Sequence, residues 1–419
     1  MNKIVINGPC RLDGEVEISG GKNAIVAILP ATVMVRGKCV IENVPHISDV
    51  ENILEILKYM GAGVRVIDAK TLEIDCTDIK QCEIPYELAR RLRASYYFLG
   101  VMLGRWHDTT VAMPGGCSIG LRPIDQHIKG FEALGAKVDF ERGNVHARCG
   151  ALVGNHVYFD VVSVGATINI MIAAATAEGM TVMENVAKEP HIVDVANFLN
   201  SMGADISGAG TDVIKVRGVP RLCGGSYAVI PDQIEAGTFM VAAAATRGDV
   251  TIKNVIPKHL ECISRKLTEM NVKVAEFDDY IRVIGSGVIE SASVKTMPYP
   301  GFPTDMHPQM AVLMSLADGT SRVTENIWES RFKYVDELRK LGAQIAVTGN
   351  VATIEGGVQL LGAPIRSCDL RAGAAMIIAG LVASGTTVIE EIEFIERGYE
   401  NIIEKFRGLG ANIKKVDIQ

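Results

Sequence analysis

The chain contains 419 residues, of which 48% are hydrophobic and 22% charged, and its formal net charge is −7. This length suggests two or three domains, and the composition excludes a disordered chain. A negative net charge does not attract nucleic acid or an anionic membrane, so we expect neither as a partner, and local Arg and Lys must hold any anionic ligand.

The sequence shows no feature of a membrane or secreted protein. The longest weakly polar stretch, residues 372–384, is shorter than the roughly 20 residues of a membrane span. The first residues lack the apolar core of a secretory signal, so we expect a cytoplasmic protein. The nine Cys are odd in number and include no CxxC. We therefore expect reduced thiols, and neither a disulfide framework nor a zinc ribbon.

An internal repeat organises the chain. Each copy contains the end of an amphipathic helix, a left-handed cap and then a strand. In the first copy, Val50, Ile53, Leu54 and Leu57 form the apolar face of the helix. The caps stand at equivalent positions with spacings of 74, 68, 68, 71 and 68 residues, namely Gly61, Gly135, Gly203, Asn271, Gly342 and Gly410.

A helix rich in Ala and Gly precedes each of these amphipathic helices, and such small residues suit helices packed tightly inside a bundle. One repeat therefore reads helix, strand, helix, strand, strand. The last copy stops after one strand, and the N-terminal segments IVIN and GEVEISG are predicted to complete it. This predicts three repeats in each half and one discontinuous domain. A repeat array that binds a partner without catalysis is the alternative.

The loop before the second helix of the second copy differs from the equivalent loops of the other copies. It reads MPGGCSIGLRPID and contains Gly115, Gly116, Cys117, Gly120 and Arg122. Three glycines around a thiol predict an exposed loop, and the guanidinium favours the thiolate. Cys117 is therefore the candidate nucleophile or general acid. The other eight Cys are expected to be small buried hydrophobic residues.

The loops before the small-residue helices are unusually charged. If the repeats stack around common axes, these loops face the same way, and two arginines of the other loop series, Arg331 and Arg397, join them. Clustered guanidinium and ammonium groups suit phosphate and carboxylate ligands. The charged residues of these loops that could then converge are Lys22, Arg93, Asp305, Asp369 and Arg371. No complete P-loop, HExxH or dinucleotide-binding GxGxxG is present.

The motifs GGKNA, LRAS, PGGCSIGLRPID, SVGAT, PTDM, ESRF, DLRA and ERGYE occur in this order along the chain. Together they resemble the family of UDP-N-acetylglucosamine enolpyruvyl transferases. The resemblance implies an inside-out α/β barrel fold with two domains, each of three βαβαββ units. One domain would span residues 22–230 and carry the Cys loop. The other would contain residues 1–21 and 231–419, with the active site in the cleft between the domains.

The resemblance also implies a reaction. The family transfers the enolpyruvyl group of phosphoenolpyruvate to the 3-hydroxyl of UDP-N-acetylglucosamine through a tetrahedral ketal, and it releases phosphate. This is the first committed step of peptidoglycan synthesis. Cys117 matches the residue that protonates phosphoenolpyruvate, forms an adduct with it and is alkylated by fosfomycin. Asp305 matches the carboxylate beside the sugar hydroxyl. The cations around phosphoenolpyruvate match Lys22, Arg122 and Arg397.

Further positions follow from the same resemblance. Arg93, Arg331, Asp369 and Arg371 match other active-site residues, and Asp369 is counted among the catalytic ones. Because Arg and Lys supply positive charge, neither a metal nor another cofactor is expected. The predicted UDP-sugar contacts are Asn23, Pro123, Asp125, Ser163, Val164, Gly165 and Ile327.

Two positions depart from the family pattern. Val161 stands where many relatives have Lys, which removes a possible contact with the uridine diphosphate. Gln233 stands where some relatives have Arg. Two alternative functions remain at this point. One is 5-enolpyruvylshikimate-3-phosphate synthase, which lacks the Cys loop, and the other is a non-catalytic repeat protein that binds a nucleotide sugar.

Overall fold

Helices and strands alternate in the order that the repeat predicts. The computed structural model describes residues 2–113 and 123–417. These residues form two compact units. The middle unit contains residues 20–113 and 123–230, and the split unit contains residues 2–19 and 231–417. No helix in the described ranges combines the length and the apolar character that crossing a membrane requires.

The strands of the described ranges are short. They are β1 (Asn2–Gly8), β2 (Asp13–Glu17), β3 (Val35–Glu42), β4 (Gly63–Asp68), β5 (Thr71–Asp75), β6 (Asp108–Ala112), β7 (Lys137–Glu141), β8 (Asn144–Arg148), β9 (His156–Tyr158), β10 (Met180–Glu184), β11 (Asp205–Ser207), β12 (Val213–Arg217), β13 (Leu222–Ala228), β14 (Asp249–Lys253), β15 (Lys273–Glu276), β16 (Tyr280–Ile284), β17 (Ser293–Lys295), β18 (Thr320–Thr324), β19 (Gln344–Thr348), β20 (Val351–Glu355), β21 (Pro364–Arg366), β22 (Gly385–Glu390) and β23 (Ile413–Asp417).

The helices lie between these strands. They are α1 (Lys22–Ala31), α2 (Ser48–Tyr59), α3 (Tyr86–Ala89), α4 (Tyr97–Trp106), α5 (Asp125–Ala133), α6 (Val164–Ala174), α7 (Pro190–Ser201), α8 (Gln233–Ala245), α9 (Pro257–Glu269), α10 (His307–Leu316), α11 (Val335–Lys340), α12 (Leu370–Val382), α13 (Glu393–Glu396) and α14 (Ile402–Gly408). Short 3-10 helices cover Thr32–Met34, Arg93–Tyr96, Thr304–Met306 and Arg331–Tyr334.

Left-handed caps follow the second helix of each repeat, and this confirms the prediction from the sequence. Such caps favour glycine because it has no Cβ to clash with the backbone, and Asn is the usual second choice. The φ angle is 64° at Asn271, and it lies between 92° and 100° at Gly61, Gly135, Gly203, Gly342 and Gly410.

Each repeat builds its own small sheet. The middle unit contains the sheets β13-β3-β5-β4, β6-β8-β7 and β11-β12-β10-β9. The split unit contains β15-β16-β14-β2, β17-β18-β20-β19 and β21-β22-β1-β23. In every four-stranded sheet one edge strand pairs parallel with its neighbour, and the remaining pairs are antiparallel.

The two N-terminal strands join different sheets. Strand β1 pairs with β22 and β23, so it completes the last repeat as predicted. The same prediction is wrong for β2, which pairs parallel with β14 of the fourth repeat. Strand β13 in turn pairs with β3 of the first repeat. The reason is the path of the chain, which passes from the split unit to the middle unit after Ser19 and returns after Ile230.

Helices form the interior of each unit, and sheets cover them. Helix α8 buries every residue from Ile234 to Ala245, and α12 buries residues 371–381. The strand β12 instead alternates buried with exposed residues, as expected of a sheet with one face in solvent. Each unit has its own core of buried apolar side chains.

Close helix packing depends on Gly100 in α4. Its amide donates to Asn169 Oδ1 of α6 at 2.9 Å. A Cβ at Gly100 would lie 2.8 Å from the same oxygen and still closer to the backbone carbonyl of Asn169. We expect Gly100→Ala to lower the free energy of unfolding by about 2 to 3 kcal/mol, because the helices must separate. Urea unfolding followed by Trp106 fluorescence, in a Trp328→Phe background, measures this.

Gly150 provides the matched control in the same unit, because a Cβ there meets no atom within 4 Å. Gly150→Ala should change the free energy of unfolding by no more than about 0.5 kcal/mol. Equal effects of the two substitutions would show that the contact between α4 and α6 is not tight.

Candidate active site

Three loops of the split unit bring charged side chains together. Asp305 lies in the 3-10 helix before α10, and Arg331 begins the next 3-10 helix. Asp369 caps α12 by accepting hydrogen bonds from the amides of Arg371, at 2.8 Å, and Ala372, at 2.9 Å. We call Asp305, Arg331, Asp369 and Arg371 the arginine cluster.

Ion pairs hold the arginine cluster together. Arg331 Nη2 lies 3.2 Å from Asp305 Oδ1, and its Nη1 lies 3.7 Å from Asp369 Oδ2. Arg371 Nε lies 3.3 Å from Asp305 Oδ2. The carboxylate of Asp305 thus contacts both guanidinium groups, one through each oxygen. Asp305, Arg331, Asp369 and Arg371 thus meet as the sequence predicted, whereas Lys22 and Arg93 belong to the middle unit.

Arg371 has hydrogen-bonding capacity that the described protein groups do not use. Its side chain is 3% exposed, and neither Nη1 nor Nη2 has a hydrogen-bond partner among the described residues. The guanidinium lies 5.2 Å from the ring centroid of Tyr399. Burial acts to lower the pKa of Arg371, but Tyr399, Asp305 and Asp232 outweigh it and raise the pKa, so the group stays cationic. A buried cation with unused donors suits an anionic oxygen.

The middle unit places two predicted residues at the start of α1. Lys22 is the first residue of this helix, and Asn23 is half-buried beside it. The ammonium of Lys22 lies 3.2 Å from Asp49 Oδ2, and the side chain of Asp49 is fully buried in α2. Asp49 therefore fixes the position of the lysine. No local sequence pattern had distinguished Asp49.

Another group in the middle unit surrounds His127 of α5. The ring of His127 meets that of Tyr96 edge-on, with centroids 5.0 Å apart. A Cβ at Gly165 would lie 2.6 Å from Tyr96 Oη and 2.9 Å from His127 Nε2, so a side chain there would displace these rings. Burial lowers the pKa of His127 to about 4, Asp125 opposes this shift and Arg93 adds to it. The ring is therefore neutral at pH 7.

Several of the predicted sugar contacts lie at the starts of α5 and α6. Ser163 caps α6 by accepting a hydrogen bond from Ala166 N at 3.3 Å, and Val164 is the first residue of that helix. Pro123 is exposed before α5. Val161 is 59% exposed, so its departure from the family pattern lies on the surface.

The remaining predicted residues lie in several places. In the split unit, Ile327 follows β18, Arg397 follows α13 and is half-buried, and Gln233 is the first residue of α8. Cys117 and Arg122 lie outside the described residues.

Known proteins confirm the resemblance. The family model described as EPSP synthase (3-phosphoshikimate 1-carboxyvinyltransferase) matches residues 6–406. A UDP-N-acetylglucosamine 1-carboxyvinyltransferase from Clostridium botulinum is 57% identical over 417 residues, which cover 99% of this chain and 100% of that protein. The chain belongs to the EPSP synthase family. A second relative of this family, UDP-N-acetylglucosamine 1-carboxyvinyltransferase 2 from Clostridium acetobutylicum, is 55% identical and matches over 100% of both chains.

Two solved structures show the same fold. The enolpyruvyl transferase NikO from Streptomyces tendae has a TM-score of 0.90 at 24% identity, covering 100% of this chain and 99% of that one. EPSP synthase from Acinetobacter baumannii has a TM-score of 0.78 at 19% identity, covering 100% of both chains. These likenesses confirm the predicted α/β fold class of the inside-out barrel type.

The neutral ring of His127 makes stability depend on pH. The pKa of about 4 in the folded chain lies below the ordinary 6.5, so between these values the unfolded chain binds a proton that the folded chain does not. The stabilisation is present above pH 6.5 and is lost as the pH falls to 4, in total about 3 kcal/mol.

We therefore expect the stability difference between the wild type and His127→Gln to shrink by about 2 kcal/mol from pH 7.5 to pH 5. Urea unfolding followed by Trp106 fluorescence in the Trp328→Phe background measures it. The comparison removes contributions that both chains share, such as that of Asp194, whose pKa burial raises to about 6. A constant difference would contradict the neutral, buried ring.

Proposed function

We propose that the chain transfers the enolpyruvyl group of phosphoenolpyruvate to the 3-hydroxyl of UDP-N-acetylglucosamine and releases phosphate. The names of the relatives from Clostridium support UDP-N-acetylglucosamine as the acceptor of a carboxyvinyl group. The structural observation that carries the proposal is the arginine cluster. In this cluster the buried guanidinium of Arg371 has two nitrogens that can donate to an anionic substrate oxygen. The carboxylate of Asp305 lies beside this guanidinium.

The reaction requires one group that moves protons and several that bind anions. In this proposal Cys117 protonates the methylene carbon of phosphoenolpyruvate, and the sugar oxygen attacks the adjacent carbon. Asp305 accepts the hydroxyl proton. The resulting tetrahedral ketal then loses a proton and phosphate, and the carbon–carbon double bond forms again. Lys22, Arg122 and Arg397 hold the phosphate and carboxylate of phosphoenolpyruvate.

The remaining predicted residues bind the UDP-sugar in this proposal. The domains in this proposal are residues 22–230, and residues 1–21 together with 231–419. The further assigned residues are Asn23, Arg93, Pro123, Asp125, Ser163, Val164, Gly165, Ile327, Arg331, Asp369 and Arg371.

We further propose that the product enters peptidoglycan synthesis in the cytoplasm and that fosfomycin inhibits the enzyme by alkylating Cys117. The electrophilic epoxide of such an inhibitor needs a thiolate, which the neighbouring Arg122 favours.

Phosphate release from the purified chain tests the proposal. Phosphoenolpyruvate is supplied with UDP-N-acetylglucosamine in one reaction and with shikimate 3-phosphate in a parallel one. We expect release with the UDP-sugar alone. Release only with shikimate 3-phosphate would assign the other activity of the family, and no release with either would indicate a binding protein.

A further inference from the structure

Glu325 is a buried carboxylate that joins two loops of the split unit. It follows β18 and is 2% exposed. Its Oε1 accepts hydrogen bonds from the amides of Ile327, at 2.6 Å, and Trp328, at 3.0 Å. Its Oε2 accepts one from Thr304 Oγ1 at 2.8 Å. Thr304 immediately precedes Asp305, so one side chain fixes the segments that carry Asp305 and Ile327.

Four of the other repeats lack this arrangement. The equivalent residues at the ends of β3, β10, β14 and β22 are exposed or half-exposed, namely Glu42, Glu184, Lys253 and Glu390. The residue after each of them is left-handed, namely Asn43, Asn185, Asn254 and Glu391. Asn326 does not adopt that conformation. The backbone of the fifth repeat therefore turns differently, and the carboxylate points inward.

A second connection leads from Glu325 to the arginine cluster. His307 is fully buried, and its Nε2 lies 3.4 Å from Glu325 Oε2. Its Nδ1 lies 3.0 Å from the hydroxyl of Tyr334, in the 3-10 helix that begins with Arg331. Burial, and after it Arg331, lowers the pKa of His307 well below its usual value, so the ring is neutral. The ring of His307 therefore adds no positive charge beside Glu325.

We infer that Glu325 is a positioning residue for the UDP-sugar, because it holds the Asp305 and Ile327 segments in one fixed arrangement. The inference rests on the proposed function and adds to it a residue that does not itself touch substrate. A buried carboxylate that accepts three hydrogen bonds is well suited to this role.

The test compares three substitutions. Glu325→Ala removes all the bonds, and we expect the KM for UDP-N-acetylglucosamine to rise about 30-fold, while the KM for phosphoenolpyruvate changes less than about three-fold. Thr304→Val removes one hydrogen bond with little change in shape, and it should raise the KM for UDP-N-acetylglucosamine about ten-fold. Glu325→Gln should stay within about three-fold of the wild type, because its amide can accept from both backbone groups and donate to Thr304.

Glu337 provides the control. It is 4% exposed in the same unit and accepts hydrogen bonds from Lys340 Nζ and the amide of Arg366. Glu337→Ala should lower the melting temperature as Glu325→Ala does, without changing either KM. Trp328 fluorescence in a Trp106→Phe background gives a second measurement, and Glu325→Ala alone should shift its emission. Equal KM changes for Glu325→Ala and Glu337→Ala, or unshifted emission, would overturn the inference.

Calorimetric titration with UDP-N-acetylglucosamine separates this inference from the proposed function. A wild-type chain that binds the sugar nucleotide without releasing phosphate would overturn the proposed reaction. The affinities of the Glu325→Ala and Thr304→Val variants would then decide the role of Glu325, and unchanged affinities would overturn it. If Glu325→Ala does not fold, Thr304→Val carries the test by the same criteria.

Discussion

Replacing Cys117 with serine should reduce turnover at least about 100-fold, because a serine hydroxyl is a far weaker acid than a thiol at neutral pH. Phosphate release under saturating phosphoenolpyruvate and UDP-N-acetylglucosamine measures this loss. Incubation with fosfomycin followed by mass spectrometry should show one alkylated thiol in the wild type and none in the variant.

Cys149→Ser is the matched control. Burial raises the pKa of Cys149, so this thiol forms less thiolate than an exposed one and should not react. The variant should retain both turnover and alkylation. Undiminished turnover in Cys117→Ser, or alkylation that disappears with Cys149, would contradict the assignment.

Replacing Asp305 with asparagine should lower kcat about 100- to 1,000-fold, because an amide cannot accept the proton of the sugar hydroxyl. The loss of charge also leaves the guanidinium groups of Arg331 and Arg371 with one fewer carboxylate to balance them. Steady-state phosphate release gives kcat, and a melting curve of the same sample shows whether the fold is retained.

Asp249→Asn controls for the loss of an aspartate paired with arginine in the same unit. Its side chain is 29% exposed, close to the 28% of Asp305, and it lies 2.6 Å from Arg282 Nη2. Asp249→Asn should leave kcat within about two-fold of the wild type, as expected for a surface pair. Equal losses in the two variants would indicate a general effect of charge, and full activity of Asp305→Asn would exclude it as the base.

Much of the fold could be predicted from the sequence because each repeat contains the residue pattern of its own helices, caps and strands. The caps at Gly61 and Asn271 need left-handed backbone, and few residues tolerate it. The destination of β2 was not predictable in the same way. Its partner β14 lies more than 200 residues along the chain, and no local pattern encodes a parallel pairing over such a distance.

The residues of the candidate site were likewise predictable only where the sequence carried a local signal. Arg371 and Asp305 stood out because their loops differ from the equivalent loops of the other repeats. Glu325 did not, because the exposed Glu42 and the half-exposed Glu184 precede Asn in the same way, and only the turn of the backbone distinguishes the buried copy. His127 likewise lacked a signal, since its burial depends on Tyr96 and Gly165 from other parts of the chain.

The pairing of β1 determines the order in which the chain can fold during its synthesis. Strand β1 is made before the whole middle unit, whereas its neighbours β22 and β23 are made after it. The middle unit forms its sheets from strands that all lie between residues 35 and 228. Since domains fold as units while the chain emerges, the middle unit can fold on the ribosome first. Strand β1 can pair with β22 and β23 only after the last repeat of the split unit is made.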